Sequence, residues 1–353
     1  MKASMTNGIS VQLAIEKWPR KKPQRITGYT FLNVEVVVVT LSRGGCIGRA
    51  EAAGVYYHAE TPASMVQQLE AVRTQIEGGI NGEAVLQLLP PGGARNALDC
   101  ALWDLEAKSA RQSVWQLAGL DKPGPLVTTF TCGADSPDNM VSQALSFSGA
   151  RAIKLKLTGE DADADRIKAV RSACPSAWLS VDANQGFNKD SFERLLPVLV
   201  QCEVKFVEQP FPVGQDELLD EIDCPIPIAA DESVIDAAGV RGLIGRYDMA
   251  NIKLDKCGGL TAGLEMAREL RRQGLKVMVG SMGGTSLGMA PAFVLGQLCD
   301  VVDLDGAAML KQDRVPPVSY GDGLIMCPED LWGGPRSTLQ PPAVQAQLTT
   351  GEK

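Results

Sequence analysis

Between residues 132 and 303, eight short apolar stretches each end on a conspicuous residue: Cys132, Lys156, Asp182, Glu208, Asp231, Lys253, Gly280 and Asp303. The steps between them are 22 to 27 residues, filled by polar turns and amphipathic stretches. A strand, a turn and a helix take about 25 residues, and eight such units make about 200, the low end for a (β/α)8 barrel. A doubly wound sheet also alternates strand and helix, but eight evenly spaced units favour closure. The expected fold is therefore α/β, a modified (β/α)8 barrel of the TIM type.

The residues before the repeat have another texture. Residues 11–16 and 32–41 are rich in β-branched side chains, the second including a run of four valines from Val36 to Val39, and the basic stretch Arg20-Lys21-Lys22-Pro23 separates them. After Gly44-Gly45 the pattern becomes helical, over 61–77 and again over 94–108, where Leu98, Ala101, Leu102 and Leu105 recur at helical spacing. An α+β capping domain over 1–122, a barrel over 123–314, and a Pro- and Gly-rich tail, 315–353, that returns to the cap are expected.

In such a barrel the carboxyl ends of the strands converge on one mouth. Lys154 and Lys156 lie two apart on one strand and so face the same side. Asp182, Glu208 and Asp231 end the next three strands, and Lys253 ends the strand opposite. Three carboxylates without histidine or thiolate form a hard oxygen site suited to Mg2+ or Mn2+ and not to zinc. Lysines beside such a metal suit removal of the proton next to a carboxylate, with the metal stabilising the enediolate and its charge lowering the lysine pKa. Lys154 adds a second ammonium two residues from Lys156, which acts in the same direction.

The rest of the composition agrees with this chemistry. A single histidine, His58, leaves no room for a Ser/His/Asp triad or a multi-histidine zinc site. A formal charge of −8 gives no electrostatic footprint for nucleic acid or an anionic membrane surface. None of the nine cysteines sits three from another, so free thiols in a reducing compartment are the simplest account. With no signal-like apolar run near the start, a cytoplasmic location is expected.

These residues resemble the enolase superfamily, in its muconate-lactonizing subgroup and near the dipeptide epimerases. The resemblance rests on residues 94–104 (ARNALDCALWD), Lys154-Leu155-Lys156, Val181-Asp182-Ala183-Asn184, Val207-Glu208-Gln209-Pro210, Ala230-Asp231-Glu232-Ser233 and residues 251–260 (NIKLDKCGGL). It implies Asp182, Glu208 and Asp231 as magnesium ligands and Lys156 and Lys253 as acid/base residues on opposite faces of the substrate carbon. Lys154 would contact the substrate carboxylate, and Lys256 would be a neighbour and not the base. The seventh strand carries no histidine, which excludes the mandelate-racemase type. Asp303-Leu304-Asp305 resembles the DxD motif by which dipeptide epimerases hold an α-ammonium, a task suited to paired carboxylates. Thr131, Ser281, Gly283 and Phe31 complete the expected substrate contacts.

The expected reaction is inversion of the α-carbon of a dipeptide's C-terminal residue. A lyase of the o-succinylbenzoate synthase or muconate cycloisomerase type in the same fold is the alternative. Glutamate-specific members place an arginine shortly before the second strand, where this chain has Phe31. Tyr29 and Phe31 fit an apolar or aromatic side chain, while Arg20, Lys21, Lys22 and Arg25 could supply a substitute cation. The expected partner is a small-molecule dipeptide, and a homo-oligomer is expected; His58 is unassigned.

Overall fold

The computed structural model describes residues 8–336. The chain starts with an antiparallel meander of β1 (Ser10–Ile26), β2 (Tyr29–Arg43) and β3 (Cys46–Ala52). Val36, Val37, Val38 and Val39 are all buried, so β2 is covered on both faces, as its unbroken β-branched run requires. The basic stretch is not a linker. It lies within β1 as an irregularity, because the ladder jumps from Pro19↔Asn33 to Gln24↔Phe31. β3 has little intrinsic strand preference and escaped the sequence reading; pairing with the valine strand imposes it.

The helical stretch expected over 61–77 is two helices, Pro62–Ala71 and Arg73–Glu77, separated at Val72, and a further helix spans Gly82–Leu88. The expected second helix is Gly93–Ala110, and its inner face is buried almost throughout. It lies directly on β3 at Gly48, where a Cβ would meet the Ala101 carbonyl oxygen at 2.3 Å and the Leu105 nitrogen at 2.4 Å. Only a residue without a side chain permits that approach.

After the short β4 (Leu126–Val127) come the eight parallel barrel strands in sequence order: β5 (Thr129–Cys132), β6 (Ala152–Lys156), β7 (Trp178–Asp182), β8 (Val207–Glu208), β9 (Ile228–Ala230), β10 (Met249–Lys253), β11 (Lys276–Gly280) and β12 (Val301–Val302). Six of them end on the expected residue; Asp231 and Asp303 each lie one residue beyond theirs. Lys156 pairs in register with Asp182, and Asp182 with Glu208, which sets these groups side by side at one level.

The barrel differs from the ideal in two respects. The excursions after β8, β9 and β12 carry 3-10 turns, Asp216–Glu221, Ala237–Leu243 and Gly306–Met309, and not α-helices. Pro210, Pro212, Gly214, Pro225 and Pro227 in the first, and Gly239, Gly242 and Gly245 in the second, break any longer helix. Closure between β12 and β5 also lacks a backbone ladder among the described residues. Side chains join that seam: Thr129 Oγ1 donates to Asp303, the Thr131 amide to Asp305 Oδ2 at 2.7 Å, and the Leu304 amide to Thr128 Oγ1 at 2.9 Å.

Strand alternation stacks the interior. Phe206, Ala229, Met249 and Met278 form a separate apolar cluster two positions below Glu208, Asp231, Asn251 and Gly280, so the polar mouth stands on an apolar floor. The tail closes the far side: β13 (Ser319–Gly321) and β14 (Leu324–Met326) form a small antiparallel sheet with β4. Trp332 and Gly333 then donate to Cys100 O and Asp104 Oδ1 on the cap helix. Residues 337–353 of the expected tail lie outside the described residues.

The cap is fixed over the mouth by polar contacts from several directions. At the hairpin tip the Thr27 hydroxyl lies 2.9 Å from Ala183 O and 3.1 Å from Leu157 O. On β3, Glu51 accepts from the Thr285 amide and hydroxyl and from Arg314, which also bonds Glu16. Asp99 on the cap helix accepts from the Thr261 amide and hydroxyl. Replacing Gly48 by Val should therefore lower unfolding free energy by about 2–4 kcal/mol through overpacking against the helix. Chemical denaturation measures this, and an unchanged midpoint would show that helix and strand can separate at little cost.

Candidate active site at the barrel mouth

Three strands lie between β6 and β10 on one side of the barrel and three on the other, so Lys156 and Lys253 face each other across the mouth. A cavity of about 400 Å3 lies between them and the cap, a size suited to a small organic ligand. Lys154, Lys156, Lys253, Thr131, Ser281, Gly283, Asp303, Asp305 and Phe31, all assigned from sequence to catalysis or substrate, line it. Asp182, Glu208 and Asp231 do not line it. They lie beneath the lysines and are fully buried.

Every one of these carboxylates is held by an ammonium. Lys156 Nζ is 2.5 Å from Asp182 Oδ2 and 2.8 Å from Asn184 Oδ1. Lys154 Nζ lies 3.2 Å from Glu208 Oε2 and 3.5 Å from Asp182 Oδ2, and it also bonds Asp303. Lys253 Nζ is 2.6 Å from Asp231 Oδ2, while Lys256, buried below, donates to Asp231 Oδ1 at 2.7 Å, to Asp231 O and to Val234 O. Lys256 thus holds a carboxylate and does not line the cavity.

The electrostatics follow from burial and close packing. Burial would raise the Asp182 and Asp231 carboxyls, but the lysines prevail and hold both below the ordinary range. Glu208 goes the other way, pushed up to about 7 by burial and by the charges of Asp182 and Asp231. Burial opposes charge on Lys154 and Lys253 too, yet the surrounding carboxylates lift both well above the ordinary lysine value. The expectation that a metal charge lowers the acid/base lysines meets the opposite sign at Lys253, where the neighbours are carboxylates.

Three hard carboxylates with no histidine or thiolate nearby have the donor chemistry for Mg2+. Their mutual repulsion, visible at Glu208, is what a cation relieves. As positioned, no three His, Cys, Asp or Glu side chains among the described residues form a metal-holding cluster, because each carboxylate turns an oxygen towards a lysine. Asp305, beside Asp303, is raised to about 6 by burial and by that neighbour's charge, with the Lys154 ammonium opposing.

Several residues here were missed. Asn251 precedes Lys253 by two on β10, and its Nδ2 donates to Glu208 Oε1 at 2.7 Å; the same period that placed Lys154 could have found it. Gln209 Oε1 accepts from the Asp231 and Ser233 amides, fixing the end of β9. Glu232 is buried and raised to about 8 by burial and by Asp231 and Asp182, with Asn184 donating to it. Tyr56 lines the cavity and packs edge-on against Phe31 with ring centroids 5.1 Å apart. Tyr29 does not line it among the described residues, although Arg20 does. His58 is exposed and stands outside the lining.

Residues 8–119 match the family model described as mandelate racemase / muconate lactonizing enzyme, N-terminal domain, and residues 139–330 match the one described as enolase C-terminal domain-like. The chain belongs to the enolase superfamily. Within it the chain is dipeptide-epimerase-like. The L-Ala-D/L-Glu epimerase of Escherichia coli (strain K12) is 37% identical, over 89% of this chain and 98% of its own. An enolase family member from Agrobacterium tumefaciens with homology to dipeptide epimerases, solved with sodium and L-Ala-L-Glu, has 37% identity and a TM-score of 0.89 over 92% of this chain and 100% of its own. The dipeptide epimerase of Methylococcus capsulatus, complexed with Mg and L-Arg-D-Lys, has 26% identity and a TM-score of 0.85 over 94% and 99%.

The contact between Lys256 and Asp231 is buried on all sides, so removing the cation leaves a carboxylate without one of its counter-charges. Lys256→Met is expected to cost about 3–5 kcal/mol of stability. A denaturant titration reads this, and wild-type stability would show that Gln209 and Lys253 position Asp231 unaided.

Proposed function

We propose that this enolase-superfamily protein is a Mg2+-dependent epimerase that inverts the α-carbon of the C-terminal residue of a dipeptide. The observation that carries the reading is the pair of opposed lysines, each buried against a carboxylate, on either side of a dipeptide-sized cavity. Inversion needs a base on one face and an acid on the other. Neutral Lys156 or Lys253 takes the α-proton while the C–H electron pair moves into the carboxylate to give an enediolate. The opposite ammonium then returns a proton to the other face. The two lysines have exchanged protonation states at the end, and proton exchange with solvent resets them.

Asp182, Glu208 and Asp231 would hold Mg2+, which supplies positive charge beside the substrate carboxylate and competes with the lysines for these oxygens. Mn2+ has matching ligand preferences. Lys154 would orient the substrate carboxylate, with Thr131, Ser281, Gly283 and Phe31 shaping the walls. Asp303 and Asp305 would receive the α-ammonium, which answers the repulsion between them. We further infer a capping unit over 1–122 and a catalytic barrel over 123–314.

In D2O with Mg2+, dipeptides should take up deuterium at the C-terminal α-carbon with inversion, read by NMR and chiral chromatography. EDTA should lower the rate at least about 100-fold, and Mg2+ or Mn2+ should restore it. Label at the N-terminal α-carbon, or exchange indifferent to chelation, would overturn the reading.

A further inference from the structure

Among the buried arginines, Arg20 stands apart. Arg95 bonds the carbonyls of Cys257, Gly258, Leu86 and Leu89, and Arg166 pairs with Asp163 and Glu160. Arg20 is only 8% exposed, its Nε is buried with no hydrogen-bond partner, and its side chain makes no ion pair among the described residues. It is also the only one of the four cations in the stretch from Arg20 to Arg25 that is buried. Lys21 and Lys22 are exposed, and Arg25 is exposed near Glu160.

The fold explains its position. At Pro19 the strand leaves its register with β2, and the barrel side takes over: Arg20 forms a bridge with Leu310, and the Lys311 amide donates to Pro19 O at 2.9 Å. A bulge of this kind re-aims a side chain. Here it sends the guanidinium over the mouth, with Nη2 3.2 Å from the Cβ position of Gly283, into the cavity wall shared with Val34 and Phe31. Burial pulls its pKa below the ordinary arginine value, and the charge of Asp305 opposes that.

The charge balance across the cavity then has one remainder. Lys154, Lys156 and Lys253 are each paired with carboxylates. A neutral dipeptide brings one ammonium, claimed by the Asp303/Asp305 end, and one carboxylate, claimed by the reaction centre. Arg20 is left as a desolvated cation without a bonded anion, an arrangement that costs free energy unless a ligand supplies the partner. Its planar fork matches a carboxylate.

Resting on the epimerase reading, we propose that Arg20 binds a second carboxylate of the substrate, so that this protein prefers acidic dipeptides. The cation sits on β1, before the hairpin turn, and not on β2, where Phe31 lies. The apolar wall that Phe31 makes would then pack against the methylenes of the acidic side chain. The second carboxylate belongs either to the C-terminal or to the N-terminal residue, and matched amide controls separate the two.

The test is kcat/KM for Ala-Glu against Ala-Gln, and for Glu-Ala against Gln-Ala, in wild type, Arg20→Gln and Arg20→Lys. Wild type should favour the acid in one pair by about 10- to 100-fold, the range for a hydrogen bond to a charged group. The ratio should fall to about one in Arg20→Gln, mainly through KM, and be partly kept in Arg20→Lys. Calorimetric binding of the same pairs reads the ratio without turnover. Acid-selective binding without turnover would sustain the anion site and sink the epimerase reading. A ratio unchanged in Arg20→Gln, or near one for both pairs in wild type, would overturn the proposal.

Discussion

The structure depends on a set of charges taken out of water together. Asp182, Glu208, Asp231 and Asp303 face Lys154, Lys156, Lys253 and Lys256 at the top of an apolar floor, all of them buried. Each alone would be costly at that depth; as a balanced set they satisfy one another. Such a balance makes Lys154 and Lys253 poor bases, since the nearby carboxylates favour the ammonium. On the proposed reading, a divalent cation held by the same carboxylates would tip that balance towards the neutral amine.

The capping domain belongs to the same physics. Thr27 at the hairpin tip, Glu51 on β3 and Asp99 on the cap helix each bond barrel groups, and the lid over the mouth is thereby fixed in place. Exclusion of water strengthens every interaction beneath it. The seam between β12 and β5 contributes as well: Asp303 and Asp305 both hold the barrel shut and face the cavity, so structural closure and the cavity wall share two side chains.

Much of this was legible in the sequence because a parallel barrel places function at strand ends, and strand ends recur. Lys156, Asp182, Glu208 and Lys253 stand where the spacing places them, and the resemblance assigned their neighbours. What escaped depends on partners distant in sequence. β3 is a strand because the valines of β2 make it one. The 3-10 turns reflect local proline and glycine content that a count of equal intervals ignores. The basic stretch read as a break between strands, yet its first residue is carried into the cavity by a register shift that only the pairing of β1 with both β2 and the barrel reveals.

In the proposed reaction two lysines act on opposite faces of one carbon. The most direct measurement is α-proton exchange in D2O with each lysine removed singly and each enantiomer of the C-terminal residue offered in turn. Lys156→Ala should exchange only one enantiomer, Lys253→Ala only the other, and neither should invert its substrate. Exchange of both enantiomers by either variant, or of the same enantiomer by both, would contradict the account.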